Sequence, residues 1–71
     1  MNTESVGTTA GILWNLLNER GAMEYAKMKD ELKLTQPEMW SAIGWLLRED
    51  KITIREQKKG KKTLYHISLI K

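Results

Sequence analysis

The feature that most constrains the fold is the continuous run from Thr35 to Ile54, TQPEMWSAIGWLLREDKITI. Thr35 suits the position before a helix, because its hydroxyl can accept a hydrogen bond from the first turn while the Glu38 carboxylate returns to the Thr35 amide. Pro37 falls in the first turn, where its missing backbone donor costs nothing. The run therefore predicts a capped helix, the end of that helix and the start of a strand in immediate succession.

A first helix is predicted from about Val6 to Arg20, with Ser5 as its N-terminal cap and Gly21 as its left-handed stop. Its apolar residues recur at the spacing of one helix face. That stripe comprises Val6, Ala10, Leu13, Leu16 and Leu17. The corresponding inward stripe of the helix after Thr35 comprises Met39, Ala42, Ile43 and Leu46.

Between these two helices we expect a short strand over residues 22–24 and a second helix of about two turns. Tyr25, Met28 and Leu32 recur at helical spacing through this mostly charged segment. A short turn then leads into Thr35. Two helices joined in this way are the helix-turn-helix arrangement.

The C-terminal segment alternates between apolar and polar residues, which is the pattern of paired strands. Ile52 and Ile54 begin the first predicted strand, and Tyr65, Ile67 and Leu69 mark the second. Residues 57–62, QKKGKK, are expected to form the loop of a hairpin, with a glycine supplying the positive φ of the reversal. Residues 1–71 are thus predicted to be one α+β domain, a winged helix-turn-helix in the order helix, strand, helix, helix, strand, strand.

Residues 44–52 read GWLLREDKI, and this run resembles the Gly-Trp-Leu-Xaa-Arg-Glu-Xaa-Lys-Ile/Val signature of a family of small prokaryotic winged-helix domains of uncharacterised function. The resemblance extends to the first helix through Gly7, Ala10, Gly11 and Trp14. It implies the same fold over nearly the whole chain, and it implies no particular activity.

Basic charge is concentrated at the C-terminal end. Residues 1–54 carry six Lys and Arg against eight Asp and Glu, a net charge of −2, whereas residues 55–71 carry six bases against Glu56 alone, a net charge of +5. The candidate phosphate-binding residues are Lys58, Lys59, Lys61 and Lys62 of the hairpin, together with Arg55. Such a wing is expected to contact the backbone of duplex DNA. A solvated hairpin tip is an equally good interpretation of the same lysines.

The third helix offers few groups for reading base edges. Of its residues outside the core stripe, only Gln36, Ser41 and Arg48 carry suitable polar groups, and Arg48 lies near the C-terminal end, away from the part that usually enters the groove. We therefore expect Gln36 and Ser41 to add weakly to mainly non-specific phosphate contacts.

Large apolar residues flank the predicted core. A domain of 71 residues buries only about 60% of the surface that its unfolded chain exposes, so it can hardly bury three tryptophans. The residues that we expect at a symmetric homodimer interface are Trp14, Trp40, Gly44, Trp45 and Leu47. The alternative function is accordingly a protein-interaction domain that uses this surface without binding DNA.

Enzymatic function is not expected. His66 is the sole histidine and alternates onto the outer side of a strand, the chain has no cysteine, and no cluster has metal-ligand spacing. We predict no catalytic residues, no metal, no cofactor and no small-molecule ligand. The sequence also lacks a hydrophobic run of membrane-spanning length and the pattern of a signal peptide, so we expect a soluble cytoplasmic protein without a membrane partner.

Overall fold

Residues 1–70 are described by a computed structural model, and within them three helices and three strands follow one another in the predicted order. The helices are α1 (Thr3–Arg20), α2 (Tyr25–Leu32) and α3 (Gln36–Arg48). The strands are β1 (Met23–Glu24), β2 (Ile52–Lys59) and β3 (Lys62–Leu69). They form an antiparallel sheet in the order β1-β3-β2, and the α+β winged helix-turn-helix prediction is confirmed.

Helix α3 begins where the sequence predicts. The Glu38 amide donates to the Thr35 hydroxyl at 3.3 Å, and the Glu38 carboxylate accepts from the Thr35 amide and hydroxyl, each at 2.9 Å. Pro37 lies in the first turn, where no intrahelical donor is needed. The predicted inward stripe is buried throughout: Met39, Ala42, Ile43 and Leu46.

Helix α1 begins earlier than predicted. Its cap is Asn2, whose side-chain oxygen accepts from the Ser5 amide at 2.9 Å, while the Ser5 hydroxyl accepts from the Asn2 amide at 3.0 Å. The prediction of Ser5 as cap and Val6 as first residue is therefore wrong, because Ser5 is the third helical residue of a capping box. At the other end Gly21 has φ 79° and ψ −159°, a region essentially reserved for glycine but distinct from the predicted left-handed turn.

The core lies between the three helices and one face of the sheet. Within residues 1–70 every buried side chain is apolar. These residues are Ala10, Leu13, Leu16, Leu17, Met28, Met39, Ala42, Ile43, Leu46, Ile52 and Ile67. Strand β3 is central in the sheet, so Ile67 reaches the middle of this core. These apolar contacts hold the helices against the sheet.

The hairpin is longer and its turn shorter than predicted. Pairing between β2 and β3 continues to Lys59 opposite Lys62, so only Gly60 and Lys61 form the turn. The prediction of a loop over residues 57–62 is wrong because the backbone ladder continues without apolar side chains to mark it. Gly60 has φ 60°, and a glycine with positive φ at the first turn position is typical of the type II′ hairpin turn.

The cap of α3 predicts a stability effect. Thr35→Ala removes the hydroxyl that accepts from the Glu38 amide, and loss of such a cap lowers the free energy of unfolding by about 1 kcal/mol. Gln36→Ala is the matched control, because Gln36 is the exposed first residue of the same helix. Urea unfolding followed by circular dichroism measures both variants; an equal loss in the two would contradict the capping assignment.

The same cap predicts a pH dependence. Hydrogen bonds from the Thr35 amide and hydroxyl lower the pKa of Glu38 below its usual value. A carboxyl group with a lowered folded-state pKa stabilises the fold above its unfolded pKa of about 4.3, and this stability is lost as the pH falls through the folded value. Glu38→Gln should therefore be less stable than wild type at pH 7, with the difference shrinking by pH 3. A difference that stays constant between these pH values would show that the carboxylate charge contributes nothing.

Candidate nucleic-acid interface

Three aromatic side chains from three elements meet at the base of the wing. Trp40 of α3 stacks on Tyr25 at the start of α2, with ring centroids 4.7 Å apart and planes 21° apart. Tyr65 of β3 stands at 88° to Trp40 and 79° to Tyr25, with centroids 5.3 and 6.4 Å away. Offset stacking and edge contacts of this kind are favourable for aromatic pairs. We call Trp40, Tyr25 and Tyr65 the aromatic cluster; it joins the helix-turn-helix to the wing.

The geometry of the cluster leaves part of Trp40 uncovered. The three centroids form a triangle with sides of 4.7, 5.3 and 6.4 Å, so at Trp40 the directions to Tyr25 and Tyr65 meet at roughly a right angle. Tyr65 therefore does not lie directly across the indole from Tyr25. Accordingly Trp40 remains 39% exposed.

The Tyr25 hydroxyl is buried and makes no hydrogen bond to any group within residues 1–70. Burial raises the pKa of Tyr25, and the nearby Trp40 side chain lowers it by a smaller amount without reaching hydrogen-bond geometry. A buried hydroxyl without a partner costs free energy. The cluster is thus held by ring packing and not by polar contacts.

The strand register divides the predicted basic residues between the two faces of the wing. Lys58 lies opposite Thr63, on the same face as Tyr65 and the core residue Ile67. Lys61 lies in the turn. Lys58 is therefore the wing lysine that shares a face with the aromatic cluster.

The outer face carries the other three predicted basic residues. Lys59 lies directly opposite Lys62, and Arg55 lies opposite His66. Like charges at directly opposed positions destabilise a sheet. An anion bound between Lys59 and Lys62 would therefore relieve the repulsion between the two charges and stabilise this end of the hairpin.

Gln36 and Ser41 do not lie on one side of α3. Gln36 is exposed at the first helical position, whereas Ser41 is half-buried and lies about 140° further around the helix. Trp40, one turn after Gln36, is on the same side as Gln36. Of the two polar residues predicted to approach DNA, only Gln36 is near the aromatic cluster.

The five residues predicted at a dimer interface form two surfaces. Trp40, Gly44 and Leu47 follow one shoulder of α3, and we call them the wing-side stripe; Leu47 is 41% exposed. Trp45 lies on the opposite shoulder, in a groove between α1 and α3 of about 320 Å³ that Trp14 also lines. Both of these tryptophans are half-buried and pack against the core.

The floor of this α1–α3 groove is formed by glycines of α1. A methyl group on Gly7 would lie 3.6 Å from the Trp45 ring, whereas above Gly11 no described atom lies within 4 Å. The groove, defined by Gly7, Gly11, Trp14 and Trp45, is therefore open on the Gly11 side. Whether either surface binds a second copy stays a prediction at this point.

Comparison with known protein families assigns the domain to one of them. The family model described as winged helix-turn-helix domain (DUF2582) matches residues 1–66. The chain belongs to this family. No curated protein and no solved structure matches the chain significantly. The match confirms the winged-helix resemblance, while the signature at residues 44–52 and a prokaryotic origin stay predictions.

Two other surface features of this DUF2582 domain involve polar and charged side chains. His66 contacts the neighbouring strand of the hairpin, where its Nε2 lies 3.1 Å from the Gln57 Oε1. A cleft of about 770 Å³ mixes acidic and basic side chains, and Arg20 and Glu31 on its wall form an ion pair with each other. Among the described residues no three His, Asp or Glu side chains are grouped to hold a metal ion.

No helix in residues 1–70 is both long enough and apolar enough to cross a membrane.

Sequence reasoning missed Tyr25 and Tyr65 as members of the site. Alternation places Tyr65 on the same strand face as Ile67, and helical spacing places Tyr25 one turn before Met28. Both patterns indicate inward-facing residues. Neither pattern shows that the two rings meet Trp40, because that contact joins three elements that are distant along the chain.

Proposed function

We propose that this domain binds duplex DNA through its wing, as a small regulator-like or accessory protein that contacts phosphates and reads little base sequence. The observation that carries the proposal is the direct opposition of Lys59 and Lys62 at the tip, with Lys61 in the turn between them. Winged helix-turn-helix domains are generally DNA-binding, and membership of that family supports the assignment. We include a cytoplasmic location in the proposal, because a chain without cysteine fits a reducing compartment.

Phosphate contact accounts for the composition of the wing. Each phosphate that a lysine neutralises releases condensed counterions, so affinity is gained at low salt and lost at high salt. Lysine acts as a point charge and, unlike arginine, does not favour a bidentate geometry. The wing is therefore suited to hold a duplex backbone without fixing its sequence.

The exposed surface of α3 supports limited base readout. Its wing-side stripe presents an indole, a glycine and a leucine, which offer a base edge few hydrogen-bonding groups. Gln36 is the exposed side chain on this side that can donate and accept hydrogen bonds. We assign it a minor contribution to orientation on the duplex.

Replacing the opposed lysines tests the proposal. Lys59→Gln/Lys62→Gln should weaken binding to a mixed-sequence duplex and reduce the slope of log K against log salt by about 2, since each lost phosphate contact removes about 0.9. The free energy of unfolding should not fall, because the substitution removes a like-charge pair. Fluorescence anisotropy with a labelled duplex between 20 and about 200 mM salt measures the slope.

The matched control is Lys27→Gln/Lys33→Gln, which removes the same charge from exposed positions on α2 and directly after it. It should leave the salt slope nearly unchanged. Equal losses in the two double variants would show that net charge matters and the wing does not. Absence of duplex binding by wild type at low salt would remove the proposal.

A second function, self-association, is favoured by the α1–α3 groove. Trp14 and Trp45 remain half-buried beside the open space above Gly11, and a glycine surface lets another backbone approach closely. A symmetric dimer would use the same groove on both copies. We propose this groove as the dimer interface, which leaves the wing-side stripe free for nucleic acid.

Two glycine substitutions test which surface pairs. Gly11→Ala and Gly44→Ala each replace a helical glycine that has open space above it, so each should raise the monomer's free energy of unfolding by up to about 1 kcal/mol. Only Gly11→Ala should weaken self-association, because its methyl group enters the groove. Sedimentation at tens of micromolar measures the assembly state. Weakening by Gly44→Ala alone would assign the interface to the wing-side stripe, and a monomeric wild type would remove the dimer.

A further inference from the structure

Trp40 differs from the other exposed large apolar residues in being held in a fixed orientation. Tyr25 stacks on one face of its indole, Tyr65 contacts it from the side, and 39% of the residue remains exposed. A ring whose orientation is already fixed loses little rotamer freedom when a ligand stacks on it. Tyr25 and Tyr65 therefore act as the support of a preformed flat surface.

The space beside this indole is open along the helix. Gly44 lies one turn after Trp40, and no described atom comes within 4 Å of the position that its Cβ would occupy. Leu47 follows on the same shoulder and is exposed. A flat apolar group could thus enter beside Trp40 without displacing a side chain of the wing-side stripe.

Basic and hydroxyl groups continue from the cluster towards the wing tip. On the face that carries Tyr65, the next opposed pair is Lys58 and Thr63, which lies about 7 Å further along the strands. Lys62 and Thr63 also line a shallow cleft of about 300 Å³ that reaches Tyr25 and Tyr65. An aromatic surface continued by cationic side chains is the combination that proteins use to bind single-stranded nucleic acid.

We propose that the exposed face of Trp40 stacks on an unpaired nucleic-acid base while Lys58 and the lysines of the wing tip hold the adjacent phosphates. The domain then prefers a single strand to a closed duplex of the same length. This inference rests on the proposed function, because the same lysines hold the backbone in both cases. It also gives the wing-side stripe a role in binding, the stacking of a base, that needs no hydrogen bonds to base edges.

The preference for a single strand follows from the chemistry of the surface. In a closed duplex the base faces are covered by their neighbours, and only the edges are presented in the grooves. Trp40, Gly44 and Leu47 offer those edges no hydrogen bonds apart from the single indole N–H. Every unpaired base has a π-face, so stacking on Trp40 requires no particular sequence.

Two carboxylates lie near the proposed path of the strand: Glu24, which lines the cleft that reaches Tyr25 and Tyr65, and Glu56 on the wing. Glu56 lies opposite Tyr65, so its carboxylate is on the same wing face as Lys58 and next to the aromatic cluster. It repels a phosphate that passes over Tyr65 and directs the backbone towards Lys58. Glu56→Gln should accordingly strengthen single-strand binding.

Anisotropy with three labelled probes of equal length tests the proposal: an oligothymidine strand, an abasic strand with the same phosphates, and a blunt mixed-sequence duplex. At one salt concentration wild type should bind oligothymidine at least about 5-fold more tightly than the abasic strand or the duplex, given the usual effect of stacking one base on an aromatic ring. Equal affinity for the oligothymidine and abasic strands would overturn the inference, because it would show charge contact alone.

Variants of two exposed apolar residues locate the effect. Trp40→Leu should lower oligothymidine affinity by about 5- to 150-fold and change duplex affinity by less than about 2-fold. Ile12→Ala, at an exposed apolar position of α1 outside both surfaces, should change neither affinity. Trp40→Phe should retain part of the preference because it keeps an aromatic face. Retained duplex binding shows that each variant is folded. Equal losses for strand and duplex in Trp40→Leu would overturn the inference, as would a full effect in Ile12→Ala.

The failures of the two proposals can be told apart. If duplex binding depends on Lys59 and Lys62 but no single-strand preference exists, the stacking inference fails and the wing assignment stands. If wild type binds none of the probes at low salt, both fail. If Trp40→Leu dissociates a dimer that forms without nucleic acid, the exposed indole is covered by a second copy and the stacking inference is overturned.

Discussion

The contact between Trp40 and the two tyrosines is the interaction that links the helix-turn-helix to the wing. Beyond Ile54 every residue of β2 is exposed, and at the other side of the hairpin Lys62 and Thr63 are exposed as well. The distal wing therefore has no apolar core of its own. The aromatic cluster helps to position the wing against α3, together with the pairing of β1 with β3 and the packing of Ile54 and Leu69 on the core.

The two shoulders of α3 have different surroundings. On one shoulder Trp40 stands at the base of a basic hairpin, so an aromatic surface and the wing lysines are neighbours. On the other, Trp45 lies against the glycine surface of α1, in a groove that is open above Gly11. The nucleic-acid binding and the self-association that we propose therefore use different surfaces of this small domain.

Local signals in the sequence predicted most of the fold. The Thr35–Glu38 capping box and the inward stripe of α3 are local patterns, and both are found as predicted. The start of α1 was predicted wrongly because Ser5 is the third helical residue of a capping box that begins at Asn2. The length of the hairpin was predicted wrongly because its strands continue through lysines without apolar alternation. The site was less predictable, because the aromatic cluster depends on contacts among α2, α3 and β3 that no local pattern contains.

The most direct test is a map of amide and indole N–H chemical shifts in the labelled protein, titrated with a duplex that carries a short single-stranded end. The account predicts that the Trp40 indole and the amides of residues 58–62 shift together and early. The indoles of Trp14 and Trp45, which lie in the groove on the other side, should shift little. Shifts confined to Trp14 and Trp45, or wing shifts that leave Trp40 unchanged, would contradict the joining of the aromatic cluster and the wing into one binding surface.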